Sequence, residues 1–140
     1  MLEPGERWDP THDLLFFISD AKHAKVVING SAALAPEEIH AGSTYRIRVA
    51  NIAGDRGTLL VRVMQDSTVT SWRPVAKDGF ALPPSQATTR PSIARVATGE
   101  TADFELTPAT SGELRLEIGG PKLTGGIQVE GAVRLHVSPP

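Results

Sequence analysis

The amino-acid sequence predicts an all-β domain, a two-sheet sandwich or a barrel, on three observations. Short apolar or alternating runs recur along the chain, Gly, Pro, Asn and Asp separate them, and one short stretch alone suits a helix. Alternation is clearest where Tyr45, Ile47 and Val49 fall on one face and Arg46 and Arg48 on the other. Many short strands with frequent turn signals are typical of sandwiches and barrels.

The strands follow from this pattern in chain order. They are predicted at Leu14 to Ser19, Lys25 to Asn29, Tyr45 to Ile52, Thr58 to Met64, Val69 to Lys77, Ser92 to Ala97, Ala102 to Thr107, Glu113 to Ile118 and Ala132 to Val137. Pro36 to His40 predicts at most one helical turn, because proline suits a first turn and two acids follow it. Gly119 to Gly126, GGPKLTGG, predicts a mobile connector between the last two strands.

Two dipeptides predict tight turns. Asn29-Gly30 and Asp78-Gly79 each follow an apolar run, and both residue pairs tolerate the positive φ that hairpin turns need. In the strand before Asp78, Trp72 is expected to be a core or interdomain anchor, since its ring offers a large apolar area. Pro74 places this strand at a sheet edge or at a bulge, because proline cannot donate to a ladder.

Length and charge limit the organisation and the partners. The chain of 140 residues is expected to form one domain at residues 13–138, with linkers at 1–12 and 139–140. A net charge of -2 and an aromatic content of 5% argue against a nucleic-acid partner, and outward strand arginines are expected to be a solvated face or to meet a neighbouring domain. The apolar run Leu14 to Ile18 is too short for a membrane span.

Residues that could carry chemistry are sparse. The chain has no cysteine, which excludes disulfides, thiolate catalysis and zinc-thiolate sites. Its four histidines are scattered, without the spacing that places imidazoles on one face, so surface or core roles are favoured over a metal site: His12, His23, His40 and His136. Ser71 and Asp78 lie outside any nucleophile-elbow motif, and Glu37-Glu38 is interpreted as a solvated face.

Four motifs in series resemble a known family. VVING at Val26 to Gly30, AGSTYRIRVANIAG at Ala41 to Gly54, WRPVAKDG at Trp72 to Gly79 and ATGETADFEL at Ala97 to Leu106 resemble a cupredoxin domain of multicopper oxidases. The likeness is narrower to the middle domain of three-domain, laccase-like members, and it extends over about Lys25 to Ile118. It implies a cupredoxin-like Greek-key fold, with Asn29, Gly30, Arg46, Arg48, Trp72, Asp78 and Gly79 in structural or interdomain roles.

The resemblance also implies an architectural function. Copper-bearing domains of this family need a Cys flanked by His, His-x-His pairs and an axial ligand such as Met, and this chain lacks the Cys and the paired His. The family's middle domain commonly lacks copper and holds two copper-bearing domains together. We therefore expect no catalytic, metal or cofactor residue in this chain, copper in a larger periplasmic or extracellular parent, and flanking cupredoxin domains as partners. Self-association through surface meant for those neighbours stays open.

Other features depart from the family or leave alternatives. VMQDSTV at Val63 to Val69 has no histidine where many relatives carry one, and SQATTRPSIARV at Ser85 to Val96 is long and polar, which puts the details of a substrate pocket in doubt. A secreted immunoglobulin or fibronectin-type binding module is the first alternative, and a different strand order would reveal it. A metal-independent enzyme is the second, and a cleft with converging carboxylates would favour it.

Overall fold

The computed structural model describes residues 11–21, 26–54 and 57–140, and these ranges contain strands and turns without a helix. The strands are β1 Asp13–Asp20, β2 Val26–Ile28, β3 Glu37–His40, β4 Tyr45–Asn51, β5 Leu59–Gln65, β6 Thr68–Val69, β7 Ser71–Lys77, β8 Phe80–Ala81, β9 Arg90–Pro91, β10 Ile93–Val96, β11 Thr101–Leu106, β12 Gly112–Pro121 and β13 Ile127–Ser138. The described residues contain no helix that is long and apolar enough to span a membrane.

The strands form two sheets. Sheet A has the order β2-β1-β4-β11-β7-β8, with β9 also paired to β7, and sheet B has the order β10-β5-β12-β13-β3, with β6 paired to β5. Each sheet contains one parallel pair, β1 with β4 and β3 with β13. Because immunoglobulin-type sandwiches are built from antiparallel sheets, this strand order does not support the first alternative.

The core lies between the inner faces of the two sheets. Alternate residues of each long strand point inward, and several are fully buried: Phe16, Ile47, Val61, Leu116 and Leu135 are each 0% exposed. Burying one such side chain stabilises the fold by roughly 1.5–3 kcal/mol. The predicted all-β sandwich is therefore confirmed, and the alternation that predicted it is the pattern that fills this core.

One predicted element is wrong. The stretch from Pro36 to His40 is not a helical turn, because Glu37–His40 is β3 and pairs parallel with the end of β13. Ile39 is 1% exposed, so it fills the core at the edge of sheet B. Burial and ladder pairing with a distant strand outweigh the weak local preference for a helical start.

The last hairpin is longer than the sequence predicts. Gly119 to Gly126 was expected to be a connector, but β12 runs on to Pro121 and pairs there with Ile127 at the start of β13. A register shift between Ile118 and Gly119 marks a bulge, beyond which the two strands continue. The connector is thus reduced to the tip of a hairpin.

The strand predicted at Val69 to Lys77 is divided. β6 ends at Val69 and belongs to sheet B, whereas β7 begins at Ser71 and belongs to sheet A, so the chain crosses between sheets at Thr70. β7 carries an irregularity beside Pro74, where its register with β11 shifts between Asp103 and Phe104. The proline therefore lies at a bulge, one of the two locations that its chemistry allows. The short strands β8 and β9 were not predicted.

Candidate functional site

Arg46, Arg48 and Asp103 form an ion-paired cluster on the outer face of sheet A. Strand alternation turns both arginines outward, and the antiparallel register sets Asp103 opposite Arg48. Nε of each arginine lies 2.9 Å from Oδ2 of Asp103, and the Nη2 atoms lie 2.9 and 2.8 Å from the same oxygen. The carboxylate side chain is 5% exposed, so two guanidinium groups cover a charge that has almost left the solvent. This arrangement fixes β4 against β11 and leaves no open position for chemistry at the carboxylate oxygen they share.

An apolar patch lies beside this cluster. Leu15 and Phe17 on β1 are 40% and 45% exposed, and the parallel register places them opposite Arg48 and Ala50. Ile52, which is 57% exposed, follows the end of β4, and its backbone N–H donates to the carbonyl of Ile18 at 2.8 Å. We call Leu15, Phe17 and Ile52 the sheet A patch. It is apolar surface on a face whose neighbouring charges are already paired.

Asn29 has a role that the sequence did not indicate. It forms the Asn29-Gly30 turn with φ values of 51° and 76°, as predicted. Its side chain also reaches β1, where Oδ1 accepts the N–H of Phe17 at 2.8 Å and Nδ2 donates to the carbonyl of Leu15 at 3.0 Å. The side-chain amide of Asn29 therefore continues the hydrogen bonding to β1 beyond the end of β2. It holds the backbone of Leu15 and Phe17, two residues of the sheet A patch. No spacing of residue types in the sequence indicates this contact, because 12 and 14 residues separate Asn29 from its partners.

The outer face of sheet B carries a second carboxylate between two arginines. Oε1 of Glu117 accepts Nε of Arg62 at 2.8 Å, and its Oε2 accepts Nε of Arg115 at 3.3 Å. Arg115 lies directly opposite Arg134 on β13, and Arg134 is exposed. No ion pair of Arg134 is found in the described ranges. This face is charged and solvated, in contrast to the sheet A patch.

Trp72 and the Asp78-Gly79 turn lie at the other edge of sheet A. Trp72 is 2% exposed and stacks on Phe104, with ring centroids 3.7 Å apart and an interplanar angle of 11°. Asp78 and Gly79 have φ values of 50° and 83° and close the two-residue turn from β7 to β8. Oδ1 of Asp78 accepts the N–H of Thr101 at 2.9 Å, which ties the turn to β11. These residues build a corner of the sandwich.

The described histidines are engaged separately. His12 stacks on Tyr45 with centroids 5.2 Å apart, Nδ1 of His40 lies 3.2 Å from the carbonyl oxygen of Pro139, and Nδ1 of His136 lies 3.5 Å from Glu113. His23 lies outside the described residues. Within those residues, no group of three His, Cys, Asp or Glu side chains could hold a metal ion.

The donor set does not fit a type 1 copper site. Such a site needs a thiolate and two imidazoles with a weak axial ligand, and the chain has no cysteine. Met64 lies on β5 and is 7% exposed. No metal-binding group of His, Cys, Asp or Glu side chains is found among the described residues for it to complete. The thiolate ligand of a type 1 site therefore cannot come from this chain.

Two further carboxylates, Glu105 and Glu100, are each paired with a cation. Glu105 binds Arg73, and Oε1 of Glu100 lies 3.0 Å from Nζ of Lys77. The backbone N–H of Ala97 donates to Glu100, and this bond and Lys77 hold the pKa of that carboxyl below its ordinary value. Neither of these two ion pairs brings two carboxylates together. They therefore give no support to a metal-independent enzyme, which converging carboxylates would have favoured.

Comparison with known proteins identifies relatives by structure alone. No family model matches the chain, and no curated protein matches it by sequence. The multi-copper oxidase from Pediococcus acidilactici superposes on 100% of this chain with a TM-score of 0.65 and 9% identity, over 29% of its own length. A variant of the McoA multicopper oxidase from Aquifex aeolicus gives a TM-score of 0.70 with 12% identity, over 93% of this chain and 32% of its own.

The likeness is shared with a second class of copper protein. The copper nitrite reductase from Nitrosomonas europaea superposes on 97% of this chain with a TM-score of 0.67 and 10% identity, over 52% of its own length. The chain thus spans 29% to 52% of the length of these proteins, and identities this low establish the fold alone. The fold of this chain is the cupredoxin-like sandwich found in multicopper oxidases and copper nitrite reductases.

Proposed function

We propose that this chain is a copper-free cupredoxin-like domain of a larger copper oxidoreductase, most similar in role to a middle domain. Residues 13–138 form the domain, which positions copper-bearing cupredoxin domains and helps to wall the substrate approach. The observation that carries the proposal is the combination of this fold with a donor set that lacks the cysteine a type 1 site requires. The copper then belongs to the parent protein.

The sheet A patch supports an architectural role. Leu15, Phe17 and Ile52 expose apolar surface on one face, and Asn29 orders the strand beneath the first two. Interfaces between domains bury apolar side chains at their centres and leave paired charges at their rims. The cluster of Arg46, Arg48 and Asp103 supplies such a rim. The patch is therefore assigned to a neighbouring cupredoxin domain, and in the separated chain it is available to a second copy.

The parent protein is assigned to the periplasm or the extracellular space. The support is the resemblance to oxidases, together with structural neighbours that include bacterial multicopper oxidases and copper nitrite reductases. Catalysis is assigned to the parent's copper-bearing domains, and the separated chain is expected to be inactive as an oxidase.

Copper loading tests the proposal. The purified chain is incubated with copper(II), dialysed and measured by elemental analysis, with an absorption spectrum of the same sample. We expect less than stoichiometric copper and no intense blue band, because no thiolate is available. His12→Ala, His40→Ala and His136→Ala variants serve as matched controls for weak surface binding. Stoichiometric copper that any one of these substitutions removes would overturn the copper-free assignment.

A further inference from the structure

A cavity opens along one edge of the sandwich, between β7 of sheet A and β10 of sheet B. Its volume is about 310 Å³, and Leu82, Gln86 and Arg90 of the segment 82–90 contribute to its wall. The N–H of Leu82 donates to the carbonyl of Val75 at 2.9 Å, and the N–H of Gln86 donates to the carbonyl of Pro83 at 2.9 Å. This segment is therefore hydrogen-bonded to β7 and to itself. The volume is at the lower end of the range for small-molecule sites.

The inner wall of the cavity is apolar and aromatic. Trp72, Phe104 and Ala102 contribute to it from sheet A, and Ala94 from sheet B. The rings of Trp72 and Phe104 stack on each other, so the wall contains an aromatic pair that suits an apolar or aromatic body. Nε1 of Trp72 is buried, and it has no hydrogen-bond partner in the described part of the chain. An unpaired buried donor is uncommon in folded proteins, and this one belongs to a residue that lines the cavity.

The charges on the wall are positive. Lys77, Arg90 and Arg95 line the cavity, and no Asp or Glu lines it. Lys77 is balanced by Glu100 at 3.0 Å. Nη2 of Arg90 donates to the carbonyl of Gln86 at 2.8 Å and to Oγ1 of Thr88 at 3.0 Å, and both acceptors are neutral. Arg95 is exposed and has no ion pair within the described ranges. Two cations are thus uncompensated at an apolar cavity in a chain whose net charge is -2.

We propose that this cavity binds a small carboxylate with an apolar or aromatic body. The body lies against the wall of Trp72 and Phe104, and the carboxylate accepts hydrogen bonds from Arg95 and Arg90. Apolar burial supplies affinity, and charge-assisted hydrogen bonds select the anion over a neutral molecule of the same shape. This binding function goes beyond the architectural role and does not depend on it, since it requires neither copper nor a neighbouring domain.

Titration with three probes tests the proposal on the full chain. The probes are 2-naphthoate, its neutral counterpart 2-naphthalenemethanol, and inorganic phosphate. Binding is measured by calorimetry and by the indole N–H signals in ¹H–¹⁵N NMR spectra, where a Trp8→Phe variant assigns the two tryptophans of the chain. We expect 2-naphthoate to shift the Trp72 signal saturably and to bind about tenfold more tightly than the alcohol. Phosphate is expected to leave that signal unchanged.

Substitutions separate recognition from folding. Arg95→Gln and, independently, Arg90→Gln are each expected to weaken 2-naphthoate binding about tenfold and to leave binding of the alcohol unchanged. Arg134→Gln is the matched control, because Arg134 is an exposed arginine of sheet B that does not line the cavity. It removes the same charge and is expected to have no effect on affinity. Thermal unfolding confirms that each variant is folded.

Three results would overturn the proposal. The first is the absence of both heat and a Trp72 signal shift with 2-naphthoate at millimolar concentration. The second is equal binding of 2-naphthoate and the alcohol, since that describes an apolar cavity without carboxylate recognition. The third is a loss of affinity in Arg134→Gln as large as that in Arg95→Gln, since that describes general electrostatic attraction. Copper binding by the chain would contradict the proposed function and leave these results unaffected.

Discussion

On the outer face of each sheet, one carboxylate lies between two arginines, but the surroundings of the two clusters differ. On sheet A, Asp103 is 5% exposed between arginines that are 19% and 25% exposed. On sheet B, Glu117 is 12% exposed between arginines that are 22% and 36% exposed. The cluster on sheet A borders exposed Leu15 and Phe17, whereas the one on sheet B borders exposed Arg134. A paired charge therefore borders exposed apolar surface on one face and belongs to a charged, solvated face on the other.

Removing each carboxylate is the strongest test of this difference. Asp103→Asn is expected to lower the free energy of unfolding by about 3 kcal/mol, because it removes the buried carboxylate that two partly buried guanidinium groups share. Glu117→Gln is the matched change on sheet B, and it is expected to cost about 1 kcal/mol or less, since its partners are more accessible to water. Chemical denaturation of the two variants and the wild type measures both values. Equal losses would mean that the two clusters are energetically equivalent and that the comparison fails.

The bulge in sheet B gives a second test, of intermediate size. A Cβ at Gly119 would lie 1.9 Å from the carbonyl oxygen of Gln128, whereas at Gly120 the nearest atom is Oε2 of Glu130 at 4.0 Å. Gly119→Ala is therefore expected to destabilise the chain by about 2 kcal/mol, because backbone must move. Gly120→Ala, the adjacent control, is expected to change stability by less than about 0.5 kcal/mol. Similar melting temperatures for the two variants would show that the backbone of β13 does not lie so close to Gly119.

Substitution of the sheet A patch is expected to change association far more than stability. Leu15→Thr with Phe17→Thr keeps strand propensity, so the free energy of unfolding is expected to change by no more than about 0.5 kcal/mol for each position. Self-association of the separated chain, measured by sedimentation velocity, is expected to fall. Val69→Thr with Val129→Thr makes the same kind of change on sheet B, where these side chains are 36% and 40% exposed. Should both pairs reduce association equally, the patch would not be a docking surface.

Patterns within one strand predicted most of the fold. The alternation in Tyr45–Asn51 places its arginines outward and its apolar residues in the core, and the Asn29-Gly30 and Asp78-Gly79 turns form where the dipeptides predict them. The helical turn predicted at Pro36 failed because Ile39 is buried by pairing with β13, about a hundred residues away in the chain. Local propensity carries no information on such a distant partner.

The candidate site was predicted in part. The outward positions of Arg46 and Arg48 follow from alternation, but their shared partner Asp103 lies 57 and 55 residues away. Likewise, the sequence singled out Trp72 as a large apolar anchor, while the cavity in its neighbourhood depends on a segment, 82–90, that bears no regular pattern. Residue type and spacing identify which side chains are available, whereas cross-strand register decides which of them meet.

The smallest expected effect concerns Glu100, an acid in the turn before β11 that is more open to water than Asp103. The N–H of Ala97 and the ammonium of Lys77 lower the pKa of Glu100 from its ordinary value of 4.5. Because the folded-state pKa is depressed, this carboxylate contributes stability above the unfolded-state pKa and loses it as the pH falls through the folded-state value. Glu100→Gln is therefore expected to be slightly less stable than the wild type at pH 7 and equally stable well below pH 4. Melting temperatures across this range measure the difference, with Glu38→Gln as an exposed control. A deficit that persists at low pH would mean that the contact stabilises the fold through packing rather than through the charge of Glu100.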